Sequence, residues 1–393
     1  MLPEEVVLLE VLLLLVVAKL LGELFERFSL PRVIGELFAG ILLGPSVLGL
    51  VTPSAELETL AMFGVIFFMF SAGLEVNMRN LIRRFREGLI VALSGVVTPF
   101  SLGMLLGYRY SLDFVESFAL ATCLSITAIG LSVRVLMDLR ILTTRIGLTV
   151  VNAAVDDDVI GLILMSMAFA LALEEVGLHG VLFTTATAVT FLFLGFALGM
   201  AITKSVKLRL RFGRLLRLHT RNPSLKLAIA IMFAFTFGYL ARLSGLHEIV
   251  GVFIAGMILN VLLGESAERE IMDFTFAFFA LLFFAYVGVK TDLRSLGSVT
   301  GFALELIAMA FTGKILGGTI GSILAGLKPR EALVVGIAMN SRAAVELAIA
   351  SAFHSLGIFS SEVFSAVVMM AAVTSITTPL IMRGAVKALG IRR

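Results

Sequence analysis

Apolar residues run along this chain in stretches too long for the core of a soluble domain, and polar residues gather in short clusters between them. A helix needs about 20 apolar residues to cross the hydrocarbon of a bilayer. Stretches of that kind lie at roughly 4–25, 31–51, 57–76, 87–107, 113–137, 142–173, 179–203, 223–243, 246–263, 271–289, 297–327, 331–356 and 360–382. The short alternating segments of a membrane β-barrel are missing from the pattern. It therefore predicts an all-α integral membrane protein of about thirteen transmembrane helices.

Composition agrees. Of 393 residues, 59% are apolar and 15% charged, against roughly 25% charged in a soluble domain. The single cysteine, Cys123, lies within an apolar run, so a disulfide framework is excluded. The start, Met1-Leu2-Pro3-Glu4-Glu5, lacks the basic region of a cleavable signal peptide, so the first run is expected to be a retained helix. The sequence stops at Arg392-Arg393, just after the last span, and no nucleotide-binding regulatory tail is expected.

The net charge of +3 becomes informative once the charges are placed. With the N-terminus outside, 23 of the 31 Lys and Arg residues fall in segments facing the cytoplasm, eight of them between Lys204 and Lys226. Only Arg109, Arg242, Lys290 and Arg294 fall outside, while Lys19, Arg134, Lys314 and Arg342 lie within spans. Basic residues favour the cytoplasmic side, so the N-terminus is expected out and the C-terminus in.

Two segments 216 residues apart read alike. Leu30-Pro31-Arg32-Val33-Ile34-Gly35-Glu36-Leu37-Phe38-Ala39-Gly40 answers Leu246-His247-Glu248-Ile249-Val250-Gly251-Val252-Phe253-Ile254-Ala255-Gly256. Downstream, Phe67-Phe68 and Gly73 to Leu81 answer Phe283-Phe284 and Gly288 to Leu296. The copies begin at the second and ninth spans, seven crossings apart, so their orientations are opposite. Inverted repeats are a recurring design of secondary transporters, with substrate near the midplane between discontinuous helices. One transporter unit, 1–393, is expected. Its parts are 4–173 (the N-terminal helix and first repeat), a linker helix 179–203 with a basic loop 204–226, and a second repeat 223–390. Spans five and twelve are equivalent, and each has a polar break: Ser125-Ile126-Thr127 near Gly130, and Asn340-Ser341-Arg342. Unwound backbone is tolerated at such depth only inside protein or against water.

The sixth span carries Asp156-Asp157-Asp158. Each would cost roughly 2.5–3.5 kcal/mol against lipid, and successive helix positions diverge by about 100°, so the three cannot face one site. Taking a carboxylate out of water favours its protonated form, so a proton and a cation compete for the same oxygens. A hard monovalent cation such as Na+ would find oxygens at Asp158, Asp157, and Thr127 or Ser125. No Cys or His cluster offers a transition-metal alternative. Lys314, in span eleven, is expected to pair with an aspartate or to be neutral for part of the cycle. Gly313, Gly317 and Gly321 at four-residue spacing would admit another helix closely. Arg342 and Glu346 could pair at i,i+4 and hold the broken helix. With Asn340 and Asp156 they are accessory candidates. Glu36 and Glu75, nearer helix ends, are expected to be structural or to line a funnel.

Together these features resemble the monovalent cation:proton antiporter-2 family, most closely its NapA-type sodium/proton antiporters. The likeness runs nearly end to end. It rests on Pro31 to Pro45, Thr127 with Arg134-Val135-Leu136, Ala153-Ala154-Val155 with Asp157-Asp158-Val159 and Gly161, and Gly313-Lys314 with Leu316-Gly317-Gly318. It implies a thirteen-helix fold with core and dimerisation domains, elevator-like movement, and a homodimer in a prokaryotic plasma membrane. It implies that Asp158 carries ion and proton, that Asp157 pairs with Lys314 in electrogenic exchange, and that Thr127 sits at the unwound crossing. No resident cofactor, catalytic residue or nucleic-acid partner is implied; Na+ or another monovalent cation, and H+, are cargo. Two departures stand out: Asp156 replaces an apolar residue, and Asn340-Ser341-Arg342-Ala343-Ala344-Val345-Glu346 replaces a Pro-Arg-Gly-Glu pattern.

Competing readings fare worse. A sodium-coupled organic-anion symporter would keep the general fold but lacks paired aspartates with a membrane lysine. An intramembrane aspartyl protease needs aspartates on different helices sharing a proton. A cation channel would be separated by turnover rate.

Overall fold

The computed structural model describes residues 3–28, 30–75, 85–127, 129–172, 178–215, 222–244, 246–263, 265–297, 299–342 and 344–391. Every regular element among them is helical: α1 (Pro3–Arg27), α2 (Arg32–Leu43), α3 (Ala55–Glu75), α4 (Phe85–Arg109), α5 (Phe114–Ser125), α6 (Ile129–Asp138), α7 (Arg145–Ala172), α8 (Leu178–Lys204), α9 (Val206–Leu215), α10 (Pro223–Leu243), α11 (Glu248–Asn260), α12 (Glu265–Phe274), a π-helical turn (Thr275–Phe279), α13 (Ala280–Lys290), α14 (Leu293–Leu296), α15 (Thr300–Leu324), α16 (Pro329–Ala338), α17 (Ala344–Ser355) and α18 (Ser361–Ala388).

Each expected span coincides with helix. Six of these helices are by themselves long and apolar enough to cross a bilayer: Ala55–Glu75, Glu87–Arg109, Ser224–Leu243, Glu268–Lys290, Thr300–Leu324 and Ser361–Ala388. Others are short, interrupted or charged. Span two stops at Leu43, well before the expected residue 51, because Pro45 lacks an amide hydrogen and forces Gly44 into extended backbone (φ −71°, ψ 179°). The chain then turns through Gly49, whose φ of +64° suits glycine. Span ten holds the π-helical turn at Thr275–Phe279, and the basic loop contains the helix α9; neither was expected. Arg79, Arg83, Arg84, Arg217 and Arg221 of the cytoplasmic loops, and residues 76–81 of the repeat, lie outside the described residues.

The chain forms two compact units. The first comprises Met1–Leu57, Arg84–Ala168 and Phe284–Arg393, and the second Glu58–Arg83 and Phe169–Phe283. Each draws on both repeats. In the first unit, Gly40 of α2 faces the backbone of Ala285 and Gly288 in α13 so closely that a Cβ would overlap the Ala285 carbonyl. In the second, Gly256 of α11 meets Phe70 and Gly73 of α3 in the same manner. Gly40 and Gly256 are repeat equivalents, as are Gly73 and Gly288, so both packings follow one rule. Small residues let helix backbones approach where apolar burial gives no drive between helices.

Long-range polar contacts add to each unit. In the first, Thr52 donates its amide and hydroxyl to Glu10 Oε1 at 3.0 and 3.3 Å, tying the turn after α2 to α1. Ser46 donates to the Thr291 carbonyl at 2.7 Å. In the second, Ser71 donates to Thr275 at 3.1 Å.

Candidate functional site

The first unit contains the whole candidate site, and α15 organises it. One face of α15 carries Gly313, Gly317 and Gly321, whose added Cβ atoms would meet Pro99, Ser94 with Thr98, and Val91 of α4 respectively. Gly318, on another face, lies against Gly336 of α16. The glycine stripe read from the sequence is thus a helix–helix seam, and its partner is α4. Between the seams, Lys314 is carried fully buried.

Lys314 Nζ donates to Asp157 Oδ1 at 2.8 Å, with both side chains 0% exposed. Such charge-assisted bonds are roughly twice as strong as neutral ones. Asp157 Oδ2 is buried with no hydrogen-bond partner. Asp158, the next residue on α7, is partly exposed. The divergence of successive helix positions thus separates a fully buried carboxylate held by Lys314 from one that is partly exposed. Asp156 is 4% exposed, and its Oδ2 lies 2.5 Å from where a Cβ on Gly88 would be. A side chain at position 88 would displace it. Gly88 is in the first turn of α4, so Asp156 belongs to the α4–α7 contact and not to the Lys314 pair.

Both polar breaks read from the sequence are real interruptions. Ile126 is extended (φ −83°, ψ 148°) after α5, and α16 ends at Ala338 while α17 starts at Ala344. The carbonyls at a helix C-terminus lack intrahelical donors, and here each break supplies donors to the other. Thr127 donates its hydroxyl to the Met339 carbonyl at 3.1 Å, and Ser132 donates to Ala338 O. In return, Arg342 Nη1 donates to Cys123 O at 3.1 Å and Nη2 to Leu124 O. A guanidinium at the negative end of α5 is also favourable for the helix dipole.

The expected Arg342–Glu346 pair is present as a buried i,i+4 ion pair at 3.8 Å, longer than a hydrogen bond, and the same guanidinium also donates to the carbonyls of α5. The Ser125 hydroxyl donates back to Ala121 O at 2.7 Å and reaches Val96 O at 3.4 Å, the usual back-bonding of a serine in a helix. Asn340 donates from Nδ2 to Thr378 Oγ1 at 3.1 Å and keeps a buried, unpartnered Oδ1. The side chain of Arg134 lies outside the described residues. Glu36 is buried near Gly22 of α1, and Glu75 is exposed at the end of α3.

Ser132 and Thr378 escaped sequence reasoning. Ser132 had a signal, a hydroxyl shortly after the break at Thr127. Thr378 had none, since hydroxyls are common in apolar helices. Among the described residues no cluster of His, Cys, Asp and Glu suits a multivalent metal. The arrangement suits a transient monovalent ion: a partly exposed carboxylate, a buried carboxylate held by an ammonium, and two half-helix ends crossing beside hydroxyls.

Comparison with known proteins gives one answer. The family described as sodium/hydrogen exchanger, transmembrane, matches residues 12–385. The Na(+)/H(+)-K(+) antiporter GerN of Bacillus cereus is 30% identical over 372 residues, covering 94% of each chain. The Na(+)/H(+) antiporter NhaS4 of Synechocystis is 32% identical over 403 residues and 96% of each. The sodium proton antiporter MjNhaP1 of Methanocaldococcus jannaschii has the same fold, with a TM-score of 0.71 at 17% identity over 97% of this chain and 96% of that one.

Proposed function

The chain belongs to the sodium/hydrogen exchanger family, and from that premise we propose that Asp158 is the group at which cation and proton take turns. The protein is a multi-pass monovalent cation/proton antiporter. Its cargo is Na+, in keeping with the sodium named in both bacterial relatives, although one of those names includes potassium too. The observation that carries this assignment of roles is the Lys314–Asp157 pair at 2.8 Å. It engages Asp157 with Lys314, and the neighbouring Asp158, which is partly exposed, is the carboxylate we assign to exchange.

The cycle follows from charge. A cation reaching Asp158 meets a carboxylate and the oxygens near the α5 break, with Thr127 beside them. When it leaves, a proton takes its place, because an anion at that depth is costly. Displacement of either by the other couples the two flows. If cation binding loosens Asp157 from Lys314, a second charge enters the cycle and exchange becomes electrogenic. The motif around Asp157-Asp158 and Gly313-Lys314 supports placing the chain in the NapA-type branch. In that reading a homodimer in a prokaryotic plasma membrane, N-terminus outside, moves its core elevator-fashion across the bilayer. The basic loop Lys204 to Lys226 supports the orientation.

The test is sodium-dependent proton movement in proteoliposomes. D158N is expected to abolish it while the protein still folds, and retained exchange would sink the assignment.

A further inference from the structure

Glu346 is a buried charge that the cycle above does not use. It is 1% exposed, and neither carboxylate oxygen has a hydrogen-bond partner. Structural carboxylates at such depth are normally held by hydrogen-bond donors, and the guanidinium next to it directs its hydrogen bonds elsewhere. Arg342 gives its Nη hydrogens to Cys123 O and Leu124 O and reaches Ala310 O at 3.5 Å. Glu346 therefore holds Arg342 only through a 3.8 Å ion pair, with both of its oxygens left without a hydrogen bond.

The contact to Ala310 shows what else is near. Ala310 stands one turn before Lys314 on α15, and in an α-helix its carbonyl takes the Lys314 amide. Glu346 thus touches Arg342, and Arg342 touches the turn that carries Lys314. The two cations whose fields act on Glu346 are Arg342 and Lys314, and Cys123 is the other titratable group facing it. Asp157 acts on Arg342 from across the cluster. Unpartnered polar atoms concentrate here: Asn340 Oδ1, Ser341 Oγ, Arg342 Nε, both Glu346 oxygens and Asp157 Oδ2.

We propose that Glu346 is the alternate counter-ion of Lys314, a positioning residue that accepts the ammonium's charge when Asp157 releases it. Separating a buried pair by removing one partner is strongly unfavourable, because the charge left behind is uncompensated. A second carboxylate within the field of the same ammonium lowers that barrier. Asp157, with one oxygen unpartnered even in the paired state, is free to turn toward a cation. In this role Glu346 does not touch the cargo. It determines how readily the Asp157–Lys314 pair opens, and therefore how tightly the cation is held.

The inference, resting on the exchange assigned above, is tested by a double-mutant cycle. Sodium binding to purified protein in detergent is measured by calorimetry at several pH values for wild type, E346Q, K314Q and E346Q/K314Q. E346Q alone is expected to weaken binding by roughly tenfold or more and to shift its pH profile, whereas adding E346Q to K314Q changes neither. An equal loss in both backgrounds would mean that Glu346 only neutralises Arg342, and would overturn the proposal, as would unchanged binding in E346Q. Should E346Q fail to fold, E346D is compared in the same two backgrounds and the same interaction term decides. D158N in parallel keeps the outcomes apart: sodium bound and exchanged without Asp158 refutes the carrier assignment, whatever Glu346 does.

Discussion

Lys314 and Asp157 lie 157 positions apart in sequence and form a 2.8 Å hydrogen-bonded ion pair from which solvent is excluded. Removing the ammonium leaves a buried carboxylate alone, a change worth about 3–5 kcal/mol in comparable sites. K314Q can still donate a hydrogen bond but carries no charge. It is expected to lower the electrogenic part of exchange and to shift its pH dependence, read as current from reconstituted protein on a solid-supported membrane. The same current with the same pH profile would show that the pair is only structural.

Competition at one carboxylate sets the direction of the pH effect. A proton on Asp158 must leave before a cation can bind, so acidification weakens apparent cation affinity, approaching about tenfold per pH unit once the carrier is mostly protonated. At higher pH the affinity levels off. Sodium titrations of exchange across pH check this, and an affinity independent of pH would contradict a shared site.

Thr127 joins the two breaks through its hydroxyl and the Met339 carbonyl. T127V keeps the shape and loses the donor, leaving a buried carbonyl short of a partner at a cost of about 1–3 kcal/mol. T127S keeps the hydroxyl. Lower thermal stability and weaker cation affinity are expected for T127V, with T127S close to wild type. A wild-type-like T127V beside an impaired T127S would assign the residue's contribution to its methyl group.

The α4–α15 seam has an internal control. A Cβ on Gly317 would meet the Ser94 carbonyl and Thr98, whereas one on Gly95 meets nothing within 4 Å. G317A is expected to destabilise by about 1–3 kcal/mol through overpacking, and G95A to be neutral. Melting curves in detergent compare them directly. A stable G317A would show that α4 can shift away without loss.

The membrane class, the thirteen helical stretches and both helix breaks were legible in the sequence, because each rests on local pattern. A run of apolar residues needs only its own length to span a bilayer. Hydroxyl, amide and guanidinium groups inside such a run identify Ser125 to Thr127 and Asn340 to Arg342 as places where the helix gives way. The end of α2 at Leu43 was legible in principle too, since Gly44-Pro45 breaks the hydrogen-bond ladder. The π-helical turn at Thr275–Phe279 was not, because its Phe-rich composition matches the regular helix on either side.

Partner choice was a different matter. That Lys314 required a carboxylate follows from the cost of an isolated ammonium at its depth, and the family likeness named Asp157. Ser125 and Thr127, two residues apart and both hydroxyl-bearing, read alike in the sequence, and only the fold shows that one donates back to Ala121 and the other across to Met339. Arg342 and Glu346 had the spacing of a pair and form one at 3.8 Å, while the open carbonyls of Cys123 and Leu124 took the guanidinium's hydrogen bonds. The sequence by itself determined which residues carry charge or hydroxyls at bilayer depth, since that depends on residue type and spacing. Only the tertiary structure decided which groups satisfy one another. A hydrogen bond requires a few ångströms and a direction, and between residues distant in sequence those are set only when the helices pack.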